Sequence, residues 1–141
     1  MLRTALVAGV MAVLLAACTN NGGGGDKVVA YDGISEGETI RLLGNEPFWA
    51  IEIAGDQLTY TSPDNMDGTT TSVTRFSGNG GLGFSGVLDD APLLIAVTPG
   101  TCEDGMSDRT YPFTATVRMG DRDFVGCGYS DQHPFDGPEN P

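Results

Sequence analysis

Large apolar residues recur at every second position along most of this chain, and the intervening positions are small, polar or charged. In Trp49-Ala50-Ile51-Glu52-Ile53 the alternation is strict. Leu58 and Tyr60 alternate with Thr59 and Thr61, and Leu93, Ile95 and Val97 share a face. Phe113, Ala115, Val117 and Met119 lie opposite Thr114, Thr116 and Arg118, and Ile40 and Leu42 follow the same rule. A period of two sends one face of a strand into a core and the other to water, so each run predicts a half-buried strand. Stretches 70–76, 83–88 and 122–129 also read as strands, with weaker alternation. Gly55-Asp56 and Gly120-Asp121 each separate two runs, and glycine supplies the positive φ that a two-residue hairpin turn demands. Pro63 to Gly68 and Asp89-Asp90-Ala91-Pro92 read as longer loops. No segment shows the 3.6-residue period of an amphipathic helix. The pattern predicts an all-β domain over residues 38–129, a small antiparallel barrel or sandwich of about eight short strands.

The two ends follow different rules. An apolar run from Ala5 to Leu15 is preceded by Arg3 and followed by Leu15-Ala16-Ala17-Cys18. A short positive start, a brief apolar stretch, small residues and a cysteine are the layout of a bacterial lipoprotein signal. The run is too short to span a bilayer, which takes about 20 apolar residues. Residues 1–17 therefore read as a signal peptide cleaved before Cys18, whose sulfur and new amino group receive lipid. Residues 18–37 read as a lipid-anchored tether, and the glycine-rich section 19–27 has the composition of a flexible coil. Thr19 stands where an aspartate would favour inner-membrane retention, which places the chain in the outer membrane, facing the periplasm. Residues 130–141 offer little to bury except Phe135 and read as a flexible tail.

Charge and cysteines narrow the picture. The chain has 7 Lys+Arg against 19 Asp+Glu, a net charge of −12, and signal cleavage would remove Arg3 alone. So acidic a protein is a poor ligand for nucleic acid or for anionic lipid; its charge suits a cation or a cationic partner. With Cys18 taken by lipid, Cys102 and Cys127 remain in an oxidising compartment, which predicts a disulfide between them.

Three clusters carry the candidate chemistry. Gly44-Asn45-Glu46-Pro47-Phe48-Trp49 is a turn feeding a strand: Trp49 reads as a core anchor, while Asn45, Glu46 and Phe48 could form a rim contact. The span from Cys102 to Pro112 holds Glu103, Asp104, Ser107, Asp108 and Arg109. It could be an internally bonded knot, or it could aim carboxylates at a cation or basic partner. It lacks the regular ligand alternation of a calcium loop. Gly126-Cys127-Gly128 places glycines on both sides of a bridging cysteine, which lets backbones approach closely there. Enzyme signatures are missing: the lone histidine, His133, falls in the predicted tail, so no serine in the ordered part has a histidine partner. No cofactor and no metal ligand set are expected.

Through these segments the chain resembles an uncharacterised bacterial envelope lipoprotein family that shares a Gly-Asn-Glu-Pro-Phe-Trp segment, a Cys-x-Asp-Gly-Met-Ser-Asp-x-x-Tyr-Pro segment and a late Gly-Cys. Here these are Gly44 to Trp49, Cys102 to Pro112 and Gly126-Cys127, and the likeness covers roughly residues 38–129. Members occur beside or fused to small β-rich envelope domains, including lysozyme-inhibitor-like and heat-shock lipoprotein-like ones. The family supplies no catalytic residues. This chain has no counterpart of the Ser- and Lys-bearing loops of lysozyme inhibitors. The expectation is a non-enzymatic, membrane-anchored envelope protein that binds a partner, a cationic protein such as a lysozyme being one version. Its candidate contact residues are Asn45, Glu46, Phe48, Asp104, Ser107, Asp108 and Arg109. Metal binding or envelope-stress sensing is the alternative, and a cell-wall hydrolase a more distant one.

Overall fold

The computed structural model describes residues 27–140. The expected signal peptide, the lipidated Cys18 and most of the 19–27 tether lie outside the described residues. Eight antiparallel strands follow in order: β1 (Ile40–Asn45), β2 (Phe48–Ala54), β3 (Gln57–Ser62), β4 (Asn65–Ser77), β5 (Leu82–Leu88), β6 (Ala91–Glu103), β7 (Thr110–Met119) and β8 (Arg122–Ser130). Each pairs with the next, and β8 returns to β1 through Leu43↔Cys127 and Ile40↔Ser130. Of the two expected architectures the chain adopts the closed barrel, which leaves no strand edge open.

The alternating residues line the interior. Ile40, Leu42, Ile51, Ile53, Leu58, Phe84, Leu93, Ile95, Val97, Phe113 and Val117 are all buried. An eight-stranded barrel is just wide enough for such side chains to fill it, so the lumen is a packed core. Both glycine turns form as expected, with positive φ at Gly55 and Gly120. Two expected loops are shorter than the sequence implied. Ser62 pairs with Asn65, so only Pro63 and Asp64 form the β3–β4 turn and β4 already begins at Asn65. Leu88 pairs with Ala91, and Asp89 and Asp90 both take positive φ, making a two-residue hairpin without glycine. Aspartate tolerates that conformation better than most residues.

The domain is also larger than residues 38–129. At its N-terminal side, Ile34 sits in the core at 1% exposure, the Arg75 guanidinium donates to the carbonyls of Ile34 and Ser35, and the Tyr31 N–H donates to Gly78 O at 2.7 Å. The later half of the expected tether is thus part of the barrel's closure. The expected tail is likewise packed through Asp136. Ser130 is buried, Phe135 packs on Tyr111 and Tyr129, and Asp136 and Thr110 exchange backbone hydrogen bonds. One apolar residue secures each segment: Ile34 enters the core, and Phe135 packs on Tyr111 and Tyr129 of β7 and β8.

Glu38 ties the two closures together. It is buried, and its carboxylate accepts hydrogen bonds from the N–H and hydroxyl of Ser35, both at 2.8 Å, and from the Ser130 hydroxyl, while His133 Nδ1 lies at 3.1 Å. Burial alone would raise its pKa, but these bonds outweigh burial and lower it to about 2 from 4.5. A depressed folded-state pKa means that the carboxylate's stabilisation is complete above about pH 4.5 and is lost as the pH falls toward 2. Urea titrations from pH 7 to 2.5 should show stability dropping below pH 4.5, and Glu38→Gln should flatten part of that drop. Equal acid slopes in the two proteins would show that Glu38 contributes nothing to it.

Candidate functional site

The three sequence clusters meet on the outside of the barrel, around β8, β1 and β2. Trp49 points inward from the start of β2, and its indole lies across Gly44, its Cα partner on β1. A Cβ on Gly44 would come 2.1 Å from the indole nitrogen, so only glycine leaves room for the ring. Gly126 is needed for a second reason. Its Cβ would meet the Leu43 carbonyl oxygen at 1.9 Å and Trp49 Cζ2 at 2.9 Å. The glycines beside Cys127 therefore serve close backbone approach, against β1 and Trp49 as well as at the bridge, where Cys102 Sγ lies 3.5 Å from Gly126 O.

Cys127 alternates with the inward-facing positions of β8 and faces outward opposite Leu43, yet it is only 2% exposed. The cover is the β6–β7 hairpin. An irregularity between Pro99 and Cys102 redirects the end of β6, and the Cys102–Cys127 disulfide draws the hairpin tip across β8. The tip reaches as far as β1, where Asn45 Nδ2 donates to Asp104 O at 2.6 Å. Within the tip, the Asp104 carboxylate accepts the N–H groups of Met106 (2.9 Å) and Ser107 (2.8 Å) and the hydroxyls of Ser107 (2.7 Å) and Tyr111 (3.1 Å). Burial would raise the pKa of this group, and the four bonds hold it at about 2 instead.

This geometry divides the expected contact residues. Asn45, Asp104 and Ser107 bond within the strap. Arg109 donates to the carbonyls of Pro138 and Glu139 and stands 4.3 Å over the Phe135 ring, so it secures the C-terminal segment. Glu46, Phe48 and Asp108 remain exposed. Phe48 forms one wall of a groove that the sequence reading missed. Three adjoining hollows on the outer face of β1–β3 share Leu43. One of about 360 Å³ lies over Arg41, Ala50, Thr59 and Tyr129; one of about 300 Å³ extends to Phe48, Pro63 and Met66; one of about 180 Å³ separates β1 from Cys102–Asp104 of the strap. Phe48 and Met66 are 53% and 77% exposed, which leaves their apolar surface available to a partner. The available signal was Leu43 and Ala50, apolar residues at outward strand positions where polar ones are the norm.

His133 is not in a free tail: its Nδ1 lies 3.1 Å from Ser130 Oγ and 3.1 Å from Glu38 Oε2, which corrects the expectation that no ordered serine has a histidine partner. The cluster is nevertheless not a relay. A nucleophilic triad places serine and acid on opposite ring nitrogens, whereas here both approach Nδ1 and Ser130 is 1% exposed. Among the described residues, no group of three or more His, Cys, Asp or Glu side chains converges as a metal site would require.

Comparison with protein-family models, with curated proteins and with solved structures yields no match. Fold and groove together define the class: a small, disulfide-strapped, eight-stranded antiparallel barrel with a filled interior and an apolar groove on its outer wall.

Proposed function

We propose that this chain is a lipid-anchored, non-enzymatic protein of the cell envelope that binds a cationic protein partner in the groove over β1–β3. The observation that carries the reading is where the sequence motifs go: they build and strap a groove on the outside of a barrel whose interior is full. Carboxylates rim that groove. Glu46 lies between the lining residues Asn45 and Phe48, Asp64 and Asp67 flank Pro63 and Met66, and Glu103 faces the strap hollow. The one guanidinium in the groove, Arg41, is already held by Glu52 at 3.1 Å and Asp131 at 2.7 Å. The field offered to a partner is negative, with an aromatic and a thioether beside it. Such a surface suits a protein that presents lysine or arginine next to an apolar side chain, and lysozymes are basic proteins of this kind.

A lysozyme is therefore the probe. Binding should be measurable at low salt, with an association rate that falls as salt rises. Phe48→Ala should weaken it by about tenfold, the loss expected of an exposed aromatic anchor. Glu46→Gln should act mainly on the association rate. No binding to lysozyme or to any other basic envelope or host protein at low salt would refute the cationic partner.

A further inference from the structure

Apart from Val28 and Val29 at the N-terminal end, the large apolar side chains exposed among the described residues form two groups. Phe48, Met66 and Met106 surround the groove and strap just described. Phe76, Val87, Leu94 and Val125 lie on the outer wall of β4–β8, where Phe76, Gly83, Ala96, Thr116 and Val125 form one continuous row of paired residues. The far end of the Phe76 ring lies over Gly83: a Cβ there would come 1.9 Å from its Cζ. A shallow depression of about 510 Å³ follows this row, with Leu94 beside it. Its only charged side chains, Arg118 and Asp123, neutralise each other through two hydrogen bonds of 2.7 and 3.1 Å. An uncharged apolar face is unusual on so acidic a chain. In the closed ring β6 stands four places from β2, so the Leu94–Ala96 part of this face looks away from the hollows over β2 and β3, while Val125 on β8 also borders the strap hollow.

We infer that the β4–β8 face rests on the surface of an electrically neutral lipid bilayer, turning the partner groove toward the aqueous phase. The inference builds on the proposed acylation of Cys18. The described chain begins at Lys27, and Val28 and Val29 follow, 75% and 74% exposed. Tyr31 is then bonded to Gly78, two residues beyond Phe76. The anchored chain thus joins the barrel beside the apolar row. Between Cys18 and Lys27 even a fully extended link reaches no more than about 30 Å. A barrel held so close meets the interface continually, and its neutral apolar wall is the one that gains by contact. Aromatic and aliphatic side chains favour the headgroup boundary, whereas the carboxylates elsewhere on the surface do not.

The test uses the full, acylated chain in phosphatidylcholine vesicles, with acylation verified by mass spectrometry of the same sample. Phe76→Trp and Phe48→Trp place matched reporters on the two sides, and buried Trp49 is a common background. Brominated lipid should quench the Phe76→Trp reporter at least about twofold more than the Phe48→Trp reporter. Adding Leu94→Asp and Ala96→Asp, both on exposed strand positions of β6, should abolish the difference while circular dichroism stays unchanged. Equal quenching in verified acylated protein overturns the docking face and leaves the partner groove standing. A tryptophan blue shift that grows with protein density and ignores brominated lipid would assign the face to a second copy of the chain. An unacylated N-terminus would remove both the anchoring and this inference.

Discussion

Trp49→Ala is expected to lower stability by about 3–5 kcal/mol and to make Gly44→Ala nearly harmless. The first effect is the loss of a buried indole that also packs against Phe124 at 6.2 Å between ring centroids. The second follows from what Gly44 touches. The three atoms nearest a Cβ at Gly44 all belong to Trp49, the closest at 2.1 Å, so removing the indole removes that conflict. In the intact protein the same alanine displaces the ring and should cost about 1–3 kcal/mol. A thermodynamic cycle in urea reads the coupling directly. Gly126→Ala is the control. Its obstruction is the Leu43 carbonyl at 1.9 Å, which is backbone, so its penalty should survive in the Trp49→Ala protein. If Gly44→Ala costs the same with and without the indole, the close approach of ring and glycine is not what requires glycine at that position.

The second large effect belongs to the disulfide. Replacing Cys102 and Cys127 together with alanine should destabilise the domain by about 3.5 kcal/mol, from the unfolded-state entropy of a loop of this length. The bridge spans 25 residues of sequence, yet it closes no strand ladder: all eight pairings form through backbone bonds alone. The double variant should therefore keep its barrel and lose order in the strap. Hydrogen exchange is expected to accelerate most at Met106 and Ser107, whose N–H groups are held by Asp104. The partner groove should weaken with it, since the strap is one of its walls. Uniform exchange across barrel and strap would show that the two unfold as a single unit.

Most of the barrel was legible in the chain because burial on a sheet repeats every two residues. Within Trp49-Ala50-Ile51-Glu52-Ile53 the first, third and fifth positions are buried, as the alternation requires. Where that periodicity stopped, so did the reading. Asp67 to Ser72 has no large apolar residue on either side, and its start reads as a loop from sequence. It nevertheless belongs to the first half of β4, because β3 supplies partners for its backbone. Asp89-Asp90 lacked the glycine that marks a tight hairpin. Ile34 and Phe135 were isolated apolar residues with no neighbours in sequence to reveal a face. Their partners, the core for Ile34 and Tyr111 with Tyr129 for Phe135, are distant in sequence and meet only once the ring has closed.

The candidate site divides in the same way. Asn45, Asp104, Ser107 and Arg109 were recognisable as polar residues gathered in turns, but polarity alone does not say whether a group faces water or its own loop. Folding decided that. Asp104 gathers four donors from its own hairpin and Arg109 turns to the C-terminal segment, while Glu46 and Phe48 are left outside. Leu43, Met66 and Tyr129 come from three separate strands, β1, β4 and β8, and line one groove only because the closed ring carries them along one arc of the wall.

The amino-acid sequence alone determined that this is an all-β chain with alternating strands, glycine hairpins at 55 and 120 and a strongly acidic balance, because each of these depends on residues adjacent along the backbone. Tertiary structure alone decided that the sheet closes, that the hairpin tip crosses β8 to reach β1, and that exposed apolar surface gathers over β1–β3 and along β4–β8. Those outcomes depend on which strands meet across the ring, and such long-range pairing leaves no local pattern to read.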